Sequence, residues 1–291
     1  MHCAINKPTD TSTHILRVSC CDKPGIVAAV ATTLSNNQCN IEESAQFNDK
    51  LSGQFFMRVV FSCAQDVCSS SFTERFAEIA KTLDIKWDIT PSSAPVKTLI
   101  MASKEDHCLN DLLYRWRTNN INIDITGVVS NHTNIQELVE NSGLTFHHLP
   151  ITKDNKPEQE AALRKIIADT DSELIVMARY MQILSNDFCA DYAGRVINIH
   201  HSFLPGFKGA NPYKQAYERG VKIIGATAHF ATADLDEGPI IEQETVRVTH
   251  AHTPQKMRTA GRDTESRVLA GAISHFTERR IFLQGRRTVI L

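Results

Sequence analysis

A chain of 291 residues exceeds the usual single domain, so two domains are expected, each able to bury its own core. With 31 Lys and Arg against 33 Asp and Glu, the net charge of −2 excludes the broad cationic field that a nucleic-acid partner requires. Apolar runs such as Leu174–Ala178 are far too short to cross a bilayer, so no membrane role is expected either.

Eight cysteines (Cys3, Cys20, Cys21, Cys39, Cys63, Cys68, Cys108 and Cys189) form no C-x-x-C pair and no regular framework. The opening MHCAINKPTD has no basic stretch leading into an apolar run. Both features predict reduced thiols in a cytoplasmic protein.

After a polar tail, HILRVSC (His14–Cys20) reads as a short strand that ends in CDKPG, and IVAAVATTLSNN follows with apolar residues at helical spacing. Then come NIEESAQFNDKLSGQFFMRVVFSC, a helical SFTERFAEIAKTL, and DIKWDIT. In order this is β-α-β-β-α-β, the ferredoxin-like pattern. Asp22 and the Pro24-Gly25 step suit a turn into a helix N-terminus. The D-x-P-G-I-V stretch at Asp22–Val27 and the pair Asn40-Ile41 resemble an ACT domain. That resemblance implies a homo-oligomer, dimer or tetramer, and an amino-acid effector such as glycine bound near Asp22, Gly25 and Ile26.

A Pro- and Ser-rich segment then marks a linker, which places an ACT-like regulatory domain at 1–90, the linker at 91–96 and a catalytic domain at 97–291. Beyond it the grammar changes to KTLIMAS, LNDLLYRWRTN, NIDITGVVS, NIQELVENSG, FHHLPI, EQEAALRKIIADT and ELIVMAR. Continuous apolar strands between amphipathic helices predict a doubly wound, mostly parallel α/β sheet. Ligands in such sheets sit beyond the carboxyl ends of the strands. Three polar clusters fall there, at Met177–Ser185, Val196–Tyr213 and Gly225–Gln243. The tail reads as a long amphipathic helix and a short strand pair closed at Gly285, with Arg258, Arg262 and Arg267 on a solvated face.

The chemistry on offer is limited. Asn198 can donate an amide N–H, His200 is two residues away on the same strand face, and Asp236 brings a carboxylate. No Ser or Cys sits in a nucleophile elbow. The pairs His147-His148 and His200-His201 would point to opposite strand faces, so no metal site is expected. What remains is direct attack on a carbonyl, with donors for the oxyanion and a carboxylate to set protonation. His229 alternates with Thr227 on GATAHF, a spacing that would aim both at the site, and is a supporting candidate, as is His201, although a regular strand would turn His201 away from His200.

NIHHSFLP followed by FKGA, His229-Phe230 and DLDEGPI resembles the formyltransferase-like enzymes that use 10-formyltetrahydrofolate. This resemblance, from Val96 onward, implies a catalytic trio of Asn198, His200 and Asp236. It also implies a folate cleft lined by Met181, Gln182, Ile183 and Leu184 on one side and by Ala231, Thr232, Asp234 and Leu235 on the other. An ACT-like domain ahead of this fold, HH where amine-formylating relatives usually have H-P, and GANPY at Gly209–Tyr213 resemble the formyltetrahydrofolate deformylases. The implied function is hydrolysis of 10-formyltetrahydrofolate to formate and tetrahydrofolate without a cofactor, supplying formate for purine synthesis and balancing the one-carbon folate pool. The first strand-helix turn, MASKEDHCLND, fits this: it lacks a Gly-rich phosphate loop, and Glu105 and Asp106 would repel a phosphate. The competing expectations are a formyltransferase acting on an amine and a non-catalytic folate sensor.

Overall fold

The computed structural model describes residues 12–63, 70–152, 154–206 and 212–291. The expected polar tail, Cys3, Cys68, the FKGA segment and the first residues of GANPY lie outside the described residues. One unit runs to Ala94 and also takes in Glu278–Phe282 and Val289–Leu291; the other comprises Pro95–Thr277 and Leu283–Thr288.

The first unit contains β1 (Ser12–Cys21), α1 (Ile26–Asn36), β2 (Cys39–Asp49), β3 (Gln54–Cys63), α2 (Ser70–Thr82) and β4 (Lys86–Pro91). The strands form an antiparallel sheet in the order β2-β3-β1-β4, the ferredoxin-like arrangement. Alternate residues Leu16, Val18 and Cys20 of β1 face the core, where they meet Val30 and Leu34 of α1 and Phe76 of α2. Their spacing of two along the strand and four along the helix is what the sequence pattern encoded.

The expectation of reduced thiols fails at one place, because Cys39 and Cys63 form a disulfide with Cα atoms 4.5 Å apart. They stand directly opposite each other in the β2–β3 ladder, a proximity that spacing along the chain does not reveal. Cys20, Cys21, Cys108 and Cys189 are free thiols.

The second unit runs through β5 (Val96–Ala102), α3 (His107–Arg117), β6 (Ile123–Ser130), α4 (Gln136–Asn141), β7 (Phe146–His148), α5 (Lys156–Thr170) and β8 (Leu174–Met177). It continues through α6 (Asn186–Asp191), β9 (Val196–His200), α7 (Pro212–Glu218), β10 (Ile223–Phe230), β11 (Ile240–Arg247) and α8 (Pro254–Thr277). The C-terminal strands β12 (Ile281–Gln284) and β13 (Arg287–Ile290) pair around Gly285. The main sheet has the order β11-β10-β9-β8-β5-β6-β7. Its strands β9, β8, β5, β6 and β7 are parallel, and β10 and β11 join antiparallel at one side.

Strand order runs outward from β5 through β6 to β7 and then returns to place β8 on the other flank of β5. This reversal opens a crevice beyond the carboxyl ends of β5 and β8, and β9 ends beside it. Among the described residues no helix is long and apolar enough to cross a membrane.

Candidate active site

The three strand ends expected to carry function converge on a single cleft of about 790 Å³ within the second unit, bordered by Ser103, Arg179, Asn198, His200, His229 and Asp236 among others. Asn198 sits on β9 directly across from His229 on β10. His229 Nδ1 is 2.9 Å from the Phe230 carbonyl, which can only accept, so Nδ1 carries the proton and Nε2 is left to accept from the Asn198 amide at 3.2 Å. Among the described residues the second Asn198 N–H has no partner, which leaves it to serve a ligand.

His200 closes β9 and is buried. Its Nδ1 lies 3.2 Å from Asp236 Oδ1, while its Nε2 is buried with no hydrogen-bond partner among the described residues. Asp236 lies on the loop before β11 with φ 56, a left-handed conformation that Asp tolerates better than most residues. Gly238 is required nearby: a Cβ there would lie 1.7 Å from the Phe230 carbonyl oxygen, so any side chain would push the loop off β10. Burial alone would raise the Asp236 pKa, but the hydrogen bond and charge of His200 outweigh it and hold the carboxyl well below the usual range. The site thus presents an ionised carboxylate, two imidazoles and an amide.

Of the expected folate-lining residues, Met181, Gln182, Ile183, Leu184, Ala231, Thr232 and Leu235 border the cleft. Asp234 stands apart from that lining; its carbonyl accepts from Thr232 Oγ1 and from the Glu237 amide. Met181, Ile183 and Leu235 are 58%, 55% and 56% exposed, an unusual cost for three apolar side chains beside one cleft. Met181 is anchored by its amide, which donates to Ser103 Oγ at 3.1 Å, and Ser103 in turn donates to Asn131 Oδ1 at 2.7 Å. In the first unit, Asp22 accepts from the Asn48 side chain, Gly25 caps α1 without a side-chain hydrogen bond to the helix, and Ile26 is buried in the core.

Four expectations need correction. His201 does not turn away from His200: the strand ends at His200, the alternation lapses, and the two rings stack with centroids 5.0 Å apart. Thr227 does not reach the cleft, because its hydroxyl donates to the Ser202 carbonyl and accepts from the Leu204 amide, fixing the turn after β9. Glu105 is not a bare negative charge, since Arg179 and Arg262 lie 3.5 and 3.2 Å from its oxygens. Arg262 is accordingly only partly on a solvated face, its side chain 41% exposed, and it borders the cleft together with the exposed Arg258. Arg267 is exposed and pairs with Glu244.

Sequence reading passed over a buried polar cluster on the same cleft. Glu265 of α8 is 1% exposed and accepts from Tyr213 Oη at 2.6 Å, with His107 Nε2 2.8 Å away. Arg179 Nε lies 3.2 Å from Glu265 Oε2, and Arg179 Nη1 donates to His201 Nδ1. The signal was present in the polar residues of α8 at helical spacing, but only the fold shows which of them point inward. His107, Cys108 and Glu265 bring ligand-type atoms within 4.8 Å of one another. They do not suit a metal, because burial pushes the Cys108 thiol up toward its neutral form and the Arg179 cation occupies the carboxylate.

A formyl transferase family model matches residues 96–273 and an ACT domain model matches residues 14–67. The formyltetrahydrofolate deformylase of Corynebacterium sp. (strain P-1) is 47% identical over 280 residues, covering 96% of this chain and 98% of its own length. The crystal structure of a formyltetrahydrofolate deformylase from Burkholderia mallei superposes with a TM-score of 0.92 at 48% identity, over 96% of this chain and 99% of that one. A glycinamide ribonucleotide transformylase from Symbiobacterium toebii shares the fold over 68% of this chain and 94% of its own, with a TM-score of 0.65 and 30% identity.

Proposed function

The chain belongs to the formyltetrahydrofolate deformylase family, and on that premise we propose that Asn198, His200 and Asp236 are the groups with which it hydrolyses 10-formyltetrahydrofolate to formate and tetrahydrofolate. The observation that carries this assignment is the buried Nε2 of His200 beside an Asn198 N–H, both without a partner among the described residues, with Asp236 behind the ring.

The pterin lies along Met181, Gln182, Ile183 and Leu184 and is closed in from the other side by Ala231, Thr232 and Leu235, and the apolar members of both sides supply the burial a flat ring needs. The formyl oxygen then points at Asn198 Nδ2 and His200 Nε2. Water attacks the formyl carbon and the carbonyl electrons move onto oxygen, where both N–H groups meet the new charge. Asp236 balances the charge on the His200 ring and takes the proton of the attacking water, directly or through an ordered water. The C–N bond breaks and the proton passes to the leaving nitrogen, which gives formate and tetrahydrofolate. No cofactor is needed for these steps.

The finer reading extends to a cytoplasmic homo-oligomer, dimer or tetramer. It supplies formate for purine synthesis, balances the one-carbon folate pool, and is regulated by an amino acid at Asp22, Gly25 and Ile26. Support for the regulation comes from the ACT match, which spans those residues, and from the uncapped amides at the start of α1. Purified protein supplied with 10-formyltetrahydrofolate, with and without an added amine and with and without glycine, tests these points together. Formate in the absence of amine supports hydrolysis. An N-formyl amine formed in place of formate would instead make the chain a transferase. A rate unchanged by any amino acid would remove the effector.

A further inference from the structure

Arg179 is the least expected residue of the cleft. It lies two residues past the end of β8, at the point where the strand order reverses, and its φ of 66 is a left-handed value that is unfavourable for a residue with a Cβ. Such a conformation persists where the surroundings over-determine it. Here they do, because its guanidinium meets three different segments. Nε is in ion-pair contact with Glu265 of α8 at 3.2 Å, Nη2 is 3.5 Å from Glu105 on the turn after β5, and Nη1 donates to His201 Nδ1 just past β9. Arg262 also meets Glu105, so two cations stand against two carboxylates and the cluster is close to neutral.

A buried ionic cluster adds little to stability relative to apolar packing. Its more direct effect is on His201. A guanidinium has no acceptor atom, so the contact with His201 requires Nδ1 to accept and leaves the ring proton on Nε2. His201 stacks on His200 and borders the same cleft. Burial, the Arg179 charge and His200 together lower its pKa to about 4, which keeps this arrangement throughout the neutral range.

Resting on the reading of Asn198, His200 and Asp236 as the reacting groups, we propose that Arg179 and His201 form the acceptor subsite for water: Arg179, locked by Glu105 and Glu265, holds the His201 ring with its proton on Nε2, and that N–H positions the attacking water beside the formyl carbon. The donor fixes the water oxygen and leaves both of its protons free, one of them for Asp236. The guanidinium fills the space next to His201 and has its charge already spent on two carboxylates, so it offers an anionic amine acceptor neither room nor an unpaired cation. Arg179 is therefore a positioning residue and His201 a catalytic one.

The test compares His201→Asn, which keeps an acceptor near the Nδ1 position and loses the distal donor, with His201→Gln, which returns an amide N–H near the Nε2 position. Formate release from 10-formyltetrahydrofolate is measured for both, with folding checked by thermal melting. Expected is a fall of about tenfold in kcat for His201→Asn, the rate equivalent of one neutral hydrogen bond, with KM little changed and part of the loss recovered in His201→Gln. An unchanged kcat in His201→Asn, or equal losses in both variants, overturns the proposal. Should His201→Asn fail to fold, Arg179→Lys keeps the charge against Glu105 and Glu265 without the forked donor; lower kcat at constant KM is expected, and wild-type kcat overturns the proposal. Asn198→Ala is run alongside: if it turns over like wild type, the reading of the reacting groups fails, whereas its inactivity beside a fully active His201→Asn removes only the water subsite.

Discussion

His200 Nδ1 lies 3.2 Å from Asp236 Oδ1, joining the end of β9 to the loop before β11. Asp236→Asn keeps the shape of this contact and removes the charge that balances the ring, so formate turnover should fall by about two to three orders of magnitude. The pH dependence of that loss follows from the depressed pKa of the carboxyl, where the hydrogen bond and charge of His200 outweigh the effect of burial. A carboxyl with a folded pKa below its unfolded value contributes fully above about pH 3.9, and the contribution is lost as pH falls through the lower folded value. The ratio of wild-type to Asp236→Asn kcat should therefore stay constant from about pH 5 to about pH 8. A ratio that collapses within that window would show that the carboxyl titrates there.

Asn198 is held by His229 and is only partly buried, so Asn198→Ala should fold normally. Loss of one oxyanion donor costs ~3 kcal/mol of transition-state stabilisation, which lowers kcat about a hundredfold. Steady-state kinetics together with a melting curve separate this from a general loss of structure.

His201 makes a different prediction, about stability. Burial comes first among the causes that lower its pKa to about 4, followed by the charges of Arg179 and His200. A histidine with a lowered folded pKa supports folding in its neutral form; that support is complete above the unfolded value of about 6.5 and declines as pH falls toward the folded value. Between about pH 7.5 and about pH 5, wild type should lose about 2 kcal/mol of unfolding free energy relative to His201→Gln. Urea denaturation of both proteins at the two pH values measures it, and parallel behaviour would mean that His201 is not held neutral.

Met181 and Ile183 are exposed beside the cleft, so truncating them removes little from the core. Met181→Ser should change stability by no more than about 0.5 kcal/mol. Its loss of apolar contact with the pterin should raise KM about tenfold while kcat holds. A fall in kcat at constant KM would place Met181 away from the substrate.

Much of this architecture was legible because local pattern and chain order agree. The β-α-β-β-α-β run and the apolar strands after residue 95 each bury the face that their periodicity implies, as Leu16 with Val18 and Val30 with Leu34 show. The trio Asn198, His200 and Asp236 was visible because Asn198 and His200 close one apolar strand and Asp236 lies in the loop after another, and strand ends gather in such sheets. Illegible features were those set by contacts across the fold. The bond between Cys39 and Cys63 depends on strand register, and the inward turn of Glu265 depends on how α8 lies on the sheet. The position of His201 depends on where β9 stops, a boundary one residue long on which the alternation rule turns.

The most direct test of the central claim is hydrolysis of 10-formyltetrahydrofolate by the purified protein in heavy-oxygen water with no amine present. The account predicts equal amounts of formate and tetrahydrofolate, the formate carrying one heavy oxygen from solvent, and almost no product from Asp236→Asn. Absence of formate under these conditions, or formate without solvent oxygen, would contradict it.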